Sequence, residues 1–493
     1  MHNNSLTIKP IDLWVFVLCI LVTVASIMLN VHSFYHFLAI LPITYGVCYL
    51  TLLAPIRIKT KSKTVVLFSI AEFIRLVFVP LYESISSYVG FYGFSTNDST
   101  LINRAILLMA YECFFISVFL FVATRNNQVL SYGQKDNPTL LPLGKDRVGL
   151  LIIVMIGIAI FFAVPEVNKN LNFLFLSSNS DKVRALSTDS KSPLMTGLIL
   201  ISYYAILCIF LLVLDSAKKK YDFSPKKRYV ALALLFGLGA VCVINGESRS
   251  TIVYTLFAVI ACLQKSFEKY SKAIAQVVVV VGFFVLTGMT AYRLYSVYDY
   301  SSYGAALQGG TIRENYFSSF IEMYFLGPQS VACGLSFFDM SRSSFDIGTF
   351  LYDIFRPFMG LNFIAELFNG KTSILMYNSW FSGVEGKSNG LFLQISNQGY
   401  CYFGFFLAPL FACVFYKVSL LIERHLKKEK SLFLTFFFNY ILIRTSTCVI
   451  GGTMSGFITQ LTMTLLLSGA LYWGQKVVGT TLFTRRSRLL KSY

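Results

Sequence analysis

The sequence has little charge for a chain of 493 residues. Charged side chains make up 13% of it, whereas hydrophobic side chains make up 55% and aromatic ones 16%. Soluble domains carry about 25% charged residues, so this composition excludes an ordinary soluble protein and indicates a polytopic membrane protein. The basic residues outnumber the acidic ones, 42 to 24, for a net charge of +18.

Histidine is scarce, and the ten cysteines are scattered. There are four histidines, and no CxxC pair or Cys/His cluster occurs, so the sequence indicates neither a zinc site nor a disulfide framework. It also has no P-loop, no dinucleotide-binding fingerprint and no HExxH motif. We therefore expect neither a metal nor a cofactor.

Long apolar runs recur along the whole chain. A helix needs about 20 apolar residues to cross about 30 Å of hydrocarbon, and these runs lack the alternation of barrel strands. The predicted fold is an all-α membrane bundle of about twelve transmembrane helices with a large external loop. The predicted spans are 12–31, 34–54, 64–82, 102–124, 148–165, 194–214, 229–245, 250–264, 273–292, 389–416, 431–449 and 456–474.

Lysine and arginine concentrate in the loops that follow even-numbered spans, such as 57–63 and 218–228. The positive-inside rule places these loops and both termini in the cytoplasm. The net charge is mainly this topological signal, so we expect binding to membrane lipid and not to nucleic acid. The predicted organisation is nine helices with short loops in 1–291, a large external loop in 292–388, three helices in 389–474 and a basic cytoplasmic tail in 475–493.

The segment 292–388 is too long for a simple connection, and loops of this length are usually functional. Two aromatic stretches within it, NYFSSFIEMYFL at 315–326 and DIGTFLYDIF at 346–355, predict short amphipathic helices. We therefore expect the loop to form a folded lid over the external end of the bundle.

A short turn, NGESRS at 245–250, carries Glu247 and Arg249 between two apolar runs. The planar guanidinium group of arginine binds phosphate oxygens in pairs, so arginines at the outer headgroup level suit the diphosphate of a lipid carrier. The alternative is that Glu247 and Arg249 pair with each other or that Arg249 reaches lipid phosphate. The external loop contributes further arginines, among them Arg293 and Arg313.

Other charged residues lie within predicted spans. Glu72 and Arg75 are three residues apart in the third span, so they share a helix face and predict an ion pair. A charge pair in a span is a functional hypothesis, with a structural clamp between helices as the alternative. Arg444 lies in the outward half of the eleventh span, where it is expected to reach the same external cavity as the turn.

This layout resembles the bacterial Wzy-type polymerases of O-antigen and capsular polysaccharide, which are related to the O-antigen ligases. The resemblance is carried by GESRS at 246–250, by the late external loop, and by SNGLFLQISNQGYCYFGFF at 388–406. It implies a GT-C-like, multi-pass glycosyltransferase of the bacterial cytoplasmic membrane with its active site facing the exterior. Gln394 stands where some relatives have a glutamate, and the second glycine of the usual pattern is absent, so no catalytic base is transferred to that segment.

The resemblance further implies glycosyl transfer between two glycans linked to undecaprenyl diphosphate, one as donor and one as acceptor. Such a reaction requires stabilisation of the leaving diphosphate and a base for the acceptor hydroxyl. A chain-length regulator protein and a flippase are partners that the resemblance leaves open. The expected diphosphate-binding residues are Arg249, Arg293, Arg313 and Arg444, and the candidate bases are Glu385, Glu314 and Glu247.

Two other functions remain open at this point. An O-antigen ligase shares the layout and the donor, but ligases of this type generally use an external histidine, and the long loop has none. A lipid-linked oligosaccharide flippase or other transporter would show an internal repeat and charged residues near the middle of its spans, and no repeat is visible in the sequence. The sequence therefore favours the polymerase.

Overall fold

Where the computed structural model describes the chain, it is almost entirely α-helical, with one pair of short strands. The described residues are 9–86, 88–91, 94–125, 143, 146–173, 193–245, 249–282, 284, 302, 304–305, 318, 321–322, 324–358, 360–368, 370–383, 393–451 and 453–470.

Four long helices form the first part of the bundle. The tight turn between the second and third uses Lys61, whose φ of 50° is left-handed, and Ser62, whose side chain accepts a hydrogen bond from the amide of Val65 and caps the third helix. Two of the helices contain a π-helical turn immediately before a proline, Pro55 or Pro80, because proline has no amide proton to donate. The four helices are α1 (Pro10–Met28), α2 (Ile40–Thr60), α3 (Lys63–Ile85) and α4 (Ser99–Arg125).

The second part combines helices with a small antiparallel sheet. Its strands, β1 (Leu171–Phe173) and β2 (Val243–Asn245), pair Leu171 with Asn245 and Phe173 with Val243. The predicted seventh span, 229–245, therefore ends as a strand and not as a helix. The helices are α5 (Asp146–Ala163), α6 (Pro165–Asn170), α7 (Pro193–Phe223), α8 (Lys227–Val241), α9 (Arg249–Ser266) and α10 (271–282).

The last part of the chain contains a sharply bent pair of helices. The axes of α14 and α15 meet at 105°, and Gly404 within α14 has φ 71° and ψ −174°, a conformation that is essentially restricted to glycine. The predicted tenth span, 389–416, is therefore not one straight helix. The helices are α11 (Pro328–Ser341), α12 (Ile347–Phe355), α13 (Ser373–Ser382), α14 (Ile395–Leu407), α15 (Leu410–Lys428), α16 (Leu432–Ser446) and α17 (454–470).

Within the described ranges, five helices are long and apolar enough to cross a membrane, or six if the bent pair counts as one span. The five are α1 to α4 and α7. Shorter apolar helices, Arg147–Ala163, Ile252–Ser266 and Leu432–Ser446, coincide with the predicted fifth, eighth and eleventh spans. The chain is thus a helical membrane-spanning protein, but the expected number of about twelve spans is not confirmed.

Among the described residues, two large hydrophobic clusters and a smaller one around Phe337 and Tyr377 form the core. One large cluster joins α1 to α4 with α11, α14 and α15, and the other joins α5, α7, α8, α9 and α10 with α16. The bundle is therefore assembled from early and late parts of the sequence, and this assembly brings α11 and α14 against the first four helices.

The segments expected in the cytoplasm meet at one end of the bundle. Glu423 of α15 accepts hydrogen bonds from the amides of Lys63 and Thr64 at the start of α3, where a carboxylate is favoured by the helix dipole. Lys265 at the end of α9 donates to the carbonyl of Glu429. These contacts agree with the grouping that the charge pattern predicts.

The segments expected outside meet at the other end. The side chain of Gln329, in the predicted external loop, exchanges hydrogen bonds with the backbone of Thr96. Arg104, near the start of α4, forms an ion pair with Asp339 at 2.9 Å and a hydrogen bond with Tyr400. The amphipathic helix expected at 346–355 is present as α12, with Asp346 as its N-cap. Much of 315–326 lies outside the described residues.

Candidate functional site

A cluster of fully buried polar side chains joins α3, α4 and α14. The predicted ion pair is present: Nη1 of Arg75 lies 3.5 Å from Glu72 and 2.7 Å from Oε2 of Glu112. Glu112 also accepts hydrogen bonds from Gln394, at 2.9 Å, and from the hydroxyl of Ser396. We call Glu72, Arg75, Glu112, Gln394 and Ser396 the mid-span cluster.

The mid-span cluster lies at the middle of the spans. Glu112 is the central residue of α4, and Arg75 lies near the centre of α3. Nε of Arg75 donates to the carbonyl of Leu326 at 3.1 Å, and Leu326 adopts a left-handed φ of 51°. Part of the segment expected to form an external lid therefore reaches the centre of the bundle.

Two helices begin close to this depth. Gly327 precedes α11, and a Cβ atom at this position would overlap Glu322 and Val79, so the chain needs a glycine to enter here. Gln394 immediately precedes α14. The positive ends of two helix dipoles are thus directed into a region that is rich in buried carboxylates.

Further buried carboxyl groups lie beside the cluster. Glu322 accepts hydrogen bonds from the amides of Gln329 and Ser330, at 3.1 and 2.9 Å, at the N-terminus of α11. Glu83 at the end of α3 is also fully buried, and it interacts electrostatically with Glu322 and with the hydroxyl of Tyr35. Arg75 therefore stabilises Glu112, and the N-terminus of α11 stabilises Glu322, whereas the carboxylate oxygens of Glu83 have no hydrogen-bond partner among the described residues.

Sequence reasoning missed Glu112, Glu83 and Glu322. Glu112 is the sole acidic residue in the predicted span 102–124, and an acid within a span is a signal for a polar partner. The partners themselves were not predictable, because Leu326 and Gln394 come from distant parts of the sequence.

Arg444 occupies a second candidate site. It lies in the last turn of α16, at the end of the helix that is farther from Glu429. Its guanidinium carbon lies 5.6 Å from the ring centroid of Tyr254 in α9, a distance suited to a cation–π contact. Gly456 leaves room for it, since a Cβ atom there would overlap the guanidinium group. Arg444 is half-buried, and among the described residues no carboxylate lies within ion-pair distance of it.

The site of Arg444 is close to the start of α9. Helices α9 and α16 pack antiparallel, because Lys265 meets Glu429 at one end and Tyr254 meets Arg444 and Tyr440 at the other. Arg249 is the first residue of α9. Two of the four predicted diphosphate-binding arginines therefore belong to neighbouring helices at the same end of the bundle.

The other predicted site residues cannot be placed. Glu247 lies between β2 and α9 in the sequence and is one of those outside the described residues. The pairing of β1 with β2 places Leu171, which follows α6, beside Asn245. The predicted residues outside the described ranges are Glu247, Arg293, Arg313, Glu314 and Glu385.

Another group of polar contacts attaches the predicted external loop to the bundle. Asp353 of α12 accepts hydrogen bonds from the amide of Ser373 at 2.9 Å, from Gln398 at 3.0 Å and from the hydroxyl of Tyr402 at 2.7 Å. Burial raises the pKa of the Asp353 carboxyl above its usual value, and these hydrogen bonds oppose the rise. The side-chain oxygen Oε1 of Gln398 accepts a hydrogen bond from the amide of Met454, which ties α12, α14 and α17 together.

The two sites differ in what they can do chemically. In the mid-span cluster Arg75 is paired with Glu72 and Glu112, although Nη2 of Arg75 and both carboxylate oxygens of Glu72 have no hydrogen-bond partner among the described residues. Arg444 instead presents a guanidinium group that can bind an anion. In the part of the chain that the structure describes, no group of three or more His, Cys, Asp or Glu side chains is arranged to hold a metal ion.

Comparison with protein-family models, with curated proteins and with solved structures finds no match to this chain.

Proposed function

We propose that the protein is a membrane glycosyltransferase that polymerises glycan repeat units carried on undecaprenyl diphosphate at the outer leaflet of the bacterial cytoplasmic membrane. The observation that carries the proposal is the position of Arg444. Its guanidinium group faces Tyr254 of α9, the helix whose first residue is Arg249, and it has no carboxylate partner within the described ranges.

The chemistry follows from the charge of the leaving group. When the glycosidic bond to the donor diphosphate breaks, negative charge develops on the phosphate oxygens, and fixed guanidinium groups stabilise it. Arg444 and Arg249 supply this charge from two packed helices, with Arg293 and Arg313 as contributions from the external loop. Glu385, Glu314 and Glu247 are the proposed bases for the acceptor hydroxyl.

The first test is an Arg444→Lys variant expressed in the host after deletion of the natural copy. We expect long surface polysaccharide to decrease by about 10- to 100-fold, because lysine keeps the charge but loses the paired hydrogen bonds to phosphate. One-repeat glycans should accumulate on electrophoresis of the surface polysaccharide. Protein abundance in the membrane should stay unchanged.

The matched control is Arg342→Lys, which alters an exposed arginine after α11. This variant should make polymer of normal length. Normal polymer from Arg444→Lys, or an equal loss from both variants, would contradict the proposed role of Arg444. Long polymer that is not attached to its acceptor in the deletion strain would identify a ligase instead.

Transport of a lipid-linked glycan is the second candidate, and the mid-span cluster favours it. Transporters place charged residues at mid-depth and direct the N-termini of interrupted helices toward their substrates. Glu72, Arg75 and Glu112 lie at that depth, and α11 and α14 begin near it. Deletion would then abolish exported glycan altogether, whereas loss of a polymerase leaves single repeat units at the surface.

A further inference from the structure

An open groove of about 360 Å³ runs between α7 and α8. Its apolar lining consists of side chains from both helices, and its polar residues are Ser216 and Lys220. The groove lies on the half of the bundle that contains the basic segment 218–228. The apolar lining residues are Ile209, Leu212, Val213 and Ala217 of α7 and Leu232 and Phe236 of α8.

The groove has the length of one lipid leaflet. The lining residues of α7, from Ile209 to Lys220, recur at spacings of three and four and so form one helix face. At a rise of 1.5 Å per residue they extend about 16 Å along the helix, and half of a hydrocarbon core is about 15 Å thick. Leu232 and Phe236 remain about two-fifths exposed on the opposite wall, so an acyl chain can enter from the side.

Positive charge at the end of the groove favours an anionic lipid headgroup. Lys220 lies at the last turn of the lining face, and Lys226, Lys227 and Arg228 follow at the start of α8, all of them exposed. Among the described residues none of these four has a carboxylate partner. The two acidic residues in this part of α7 are already engaged: Asp222 pairs with Lys218, and Asp215 pairs with Lys219.

We propose that the α7–α8 groove binds an anionic phospholipid, with one acyl chain along the apolar wall and the phosphate beside Lys220. Basic residues immediately beyond a transmembrane helix attract anionic headgroups, and the groove fixes where the chain lies. The site is independent of the proposed glycosyl transfer, since it lies at the end of the bundle opposite Arg444.

The test is native mass spectrometry of the purified full-length protein, titrated with phosphatidylglycerol or phosphatidylcholine. The protein should bind phosphatidylglycerol more tightly. Lys220→Gln should weaken phosphatidylglycerol binding about fivefold, since a basic residue near the surface contributes about 1 kcal/mol, and should leave phosphatidylcholine binding unchanged. Val213→Phe, which fills the groove, should weaken binding of both lipids.

The matched control is Lys59→Gln, which removes an exposed lysine at the same end of the bundle but on α2. It should leave binding of both lipids unchanged. Equal affinity for the two lipids would overturn the proposal, as would an equal loss in the Lys59 and Lys220 variants. Thermal denaturation of each variant identifies any loss of folding, and a folded Val213→Phe protein with unchanged lipid binding would also contradict the groove as the site.

Discussion

Two arginines in the bundle illustrate how burial determines the energy of an ion pair. Arg75 lies 2.7 Å from Glu112 and Arg104 lies 2.9 Å from Asp339, so the two ion pairs have similar distances. Arg75 and Glu112 are fully buried, whereas the side chains of Arg104 and Asp339 are 43% and 45% exposed. Removing one partner of a buried pair leaves an uncompensated charge, whereas water replaces the partner at an exposed pair.

We predict that Arg75→Met lowers the stability of the protein by about 3–5 kcal/mol, whereas Arg104→Met lowers it by no more than about 1 kcal/mol. Thermal denaturation of the detergent-purified variants measures the difference. Equal effects of the two substitutions would show that the mid-span cluster is solvated and not a buried network.

The buried carboxyl group of Asp353 should make the stability of the protein depend on pH. Its folded-state pKa is raised by burial, so the folded protein holds this proton more tightly than the unfolded chain, whose value is about 3.9. The stabilisation is fully present below that unfolded value, and it is lost as pH rises through the higher folded value. The advantage of the natural protein over Asp353→Asn should therefore be larger near pH 4 than at pH 7.

Asp98 provides a control, because its effect on stability should depend on pH in the opposite direction. Hydrogen bonds from Thr100 lower the pKa of the Asp98 carboxyl, so its stabilisation is present above the unfolded value and is lost as pH falls through the folded one. The advantage of the natural protein over Asp98→Asn should decrease on acidification. Thermal denaturation from pH 7 down to about pH 2 measures both variants, because the Asp98 contribution is lost only below the unfolded value of about 3.9. Parallel pH profiles would contradict the assignment.

At the scale of elements, the break between α14 and α15 depends on backbone geometry that few residues accept. Gly404 has a conformation that is essentially restricted to glycine, and Gly399 lies so close to the carbonyl of Ala408 that a Cβ atom would overlap it. The bend follows Gln394 and Ser396 in the sequence, and both of these residues contact Glu112. It therefore helps to place the mid-span cluster.

We predict that Gly404→Ala destabilises the protein by about 1–3 kcal/mol, because the side chain strains the backbone. Gly239→Ala is the matched control. Among the described residues, no atom outside the backbone of its own helix lies within 4 Å of a Cβ at that position, so the higher helix propensity of alanine should leave stability equal or higher by up to about 1 kcal/mol. A Gly404→Ala protein as stable as the control would show that the bend is not strained.

Sequence patterns predict the helices better than they predict the site. Apolar runs identify helices such as α4 and α7, because hydrophobicity over about 20 residues is a local property. The spacing of Glu72 and Arg75 predicts their pairing for the same reason. The carbonyl of Leu326 and the side chain of Gln394 reach Arg75 and Glu112 only through the packing of distant segments, which no local pattern encodes.

At the scale of the whole molecule, two opposite ends gather different chemistry. One end contains the lysine-rich segments around Lys63, Lys226 and Lys265, and the other contains Arg444 and the start of α9. The positive-inside rule predicts that the first end is cytoplasmic. The proposed glycosyl transfer depends on this orientation, because Arg444 must face the leaflet that carries the lipid-linked glycan.

Labelling of single cysteines can establish the orientation. All ten native cysteines are free, and all are buried except Cys242, which is half-buried, so they give a low background. We predict that a membrane-impermeant maleimide labels Asn97→Cys in intact spheroplasts and labels Lys226→Cys only after permeabilisation. Both positions are exposed, and α4, α5 and α7 separate them along the chain.

The result also determines whether the short helix α5 crosses the membrane. Three crossings between Asn97 and Lys226 place the two positions on opposite sides, whereas two crossings place them on the same side. Labelling of both cysteines from outside would therefore show that α5 does not span the membrane. Labelling of Lys226→Cys alone would show that the orientation of the protein is the reverse of the predicted one. In the inverted case Arg444 would face the cytoplasm, and polymerisation at the outer leaflet could not use it.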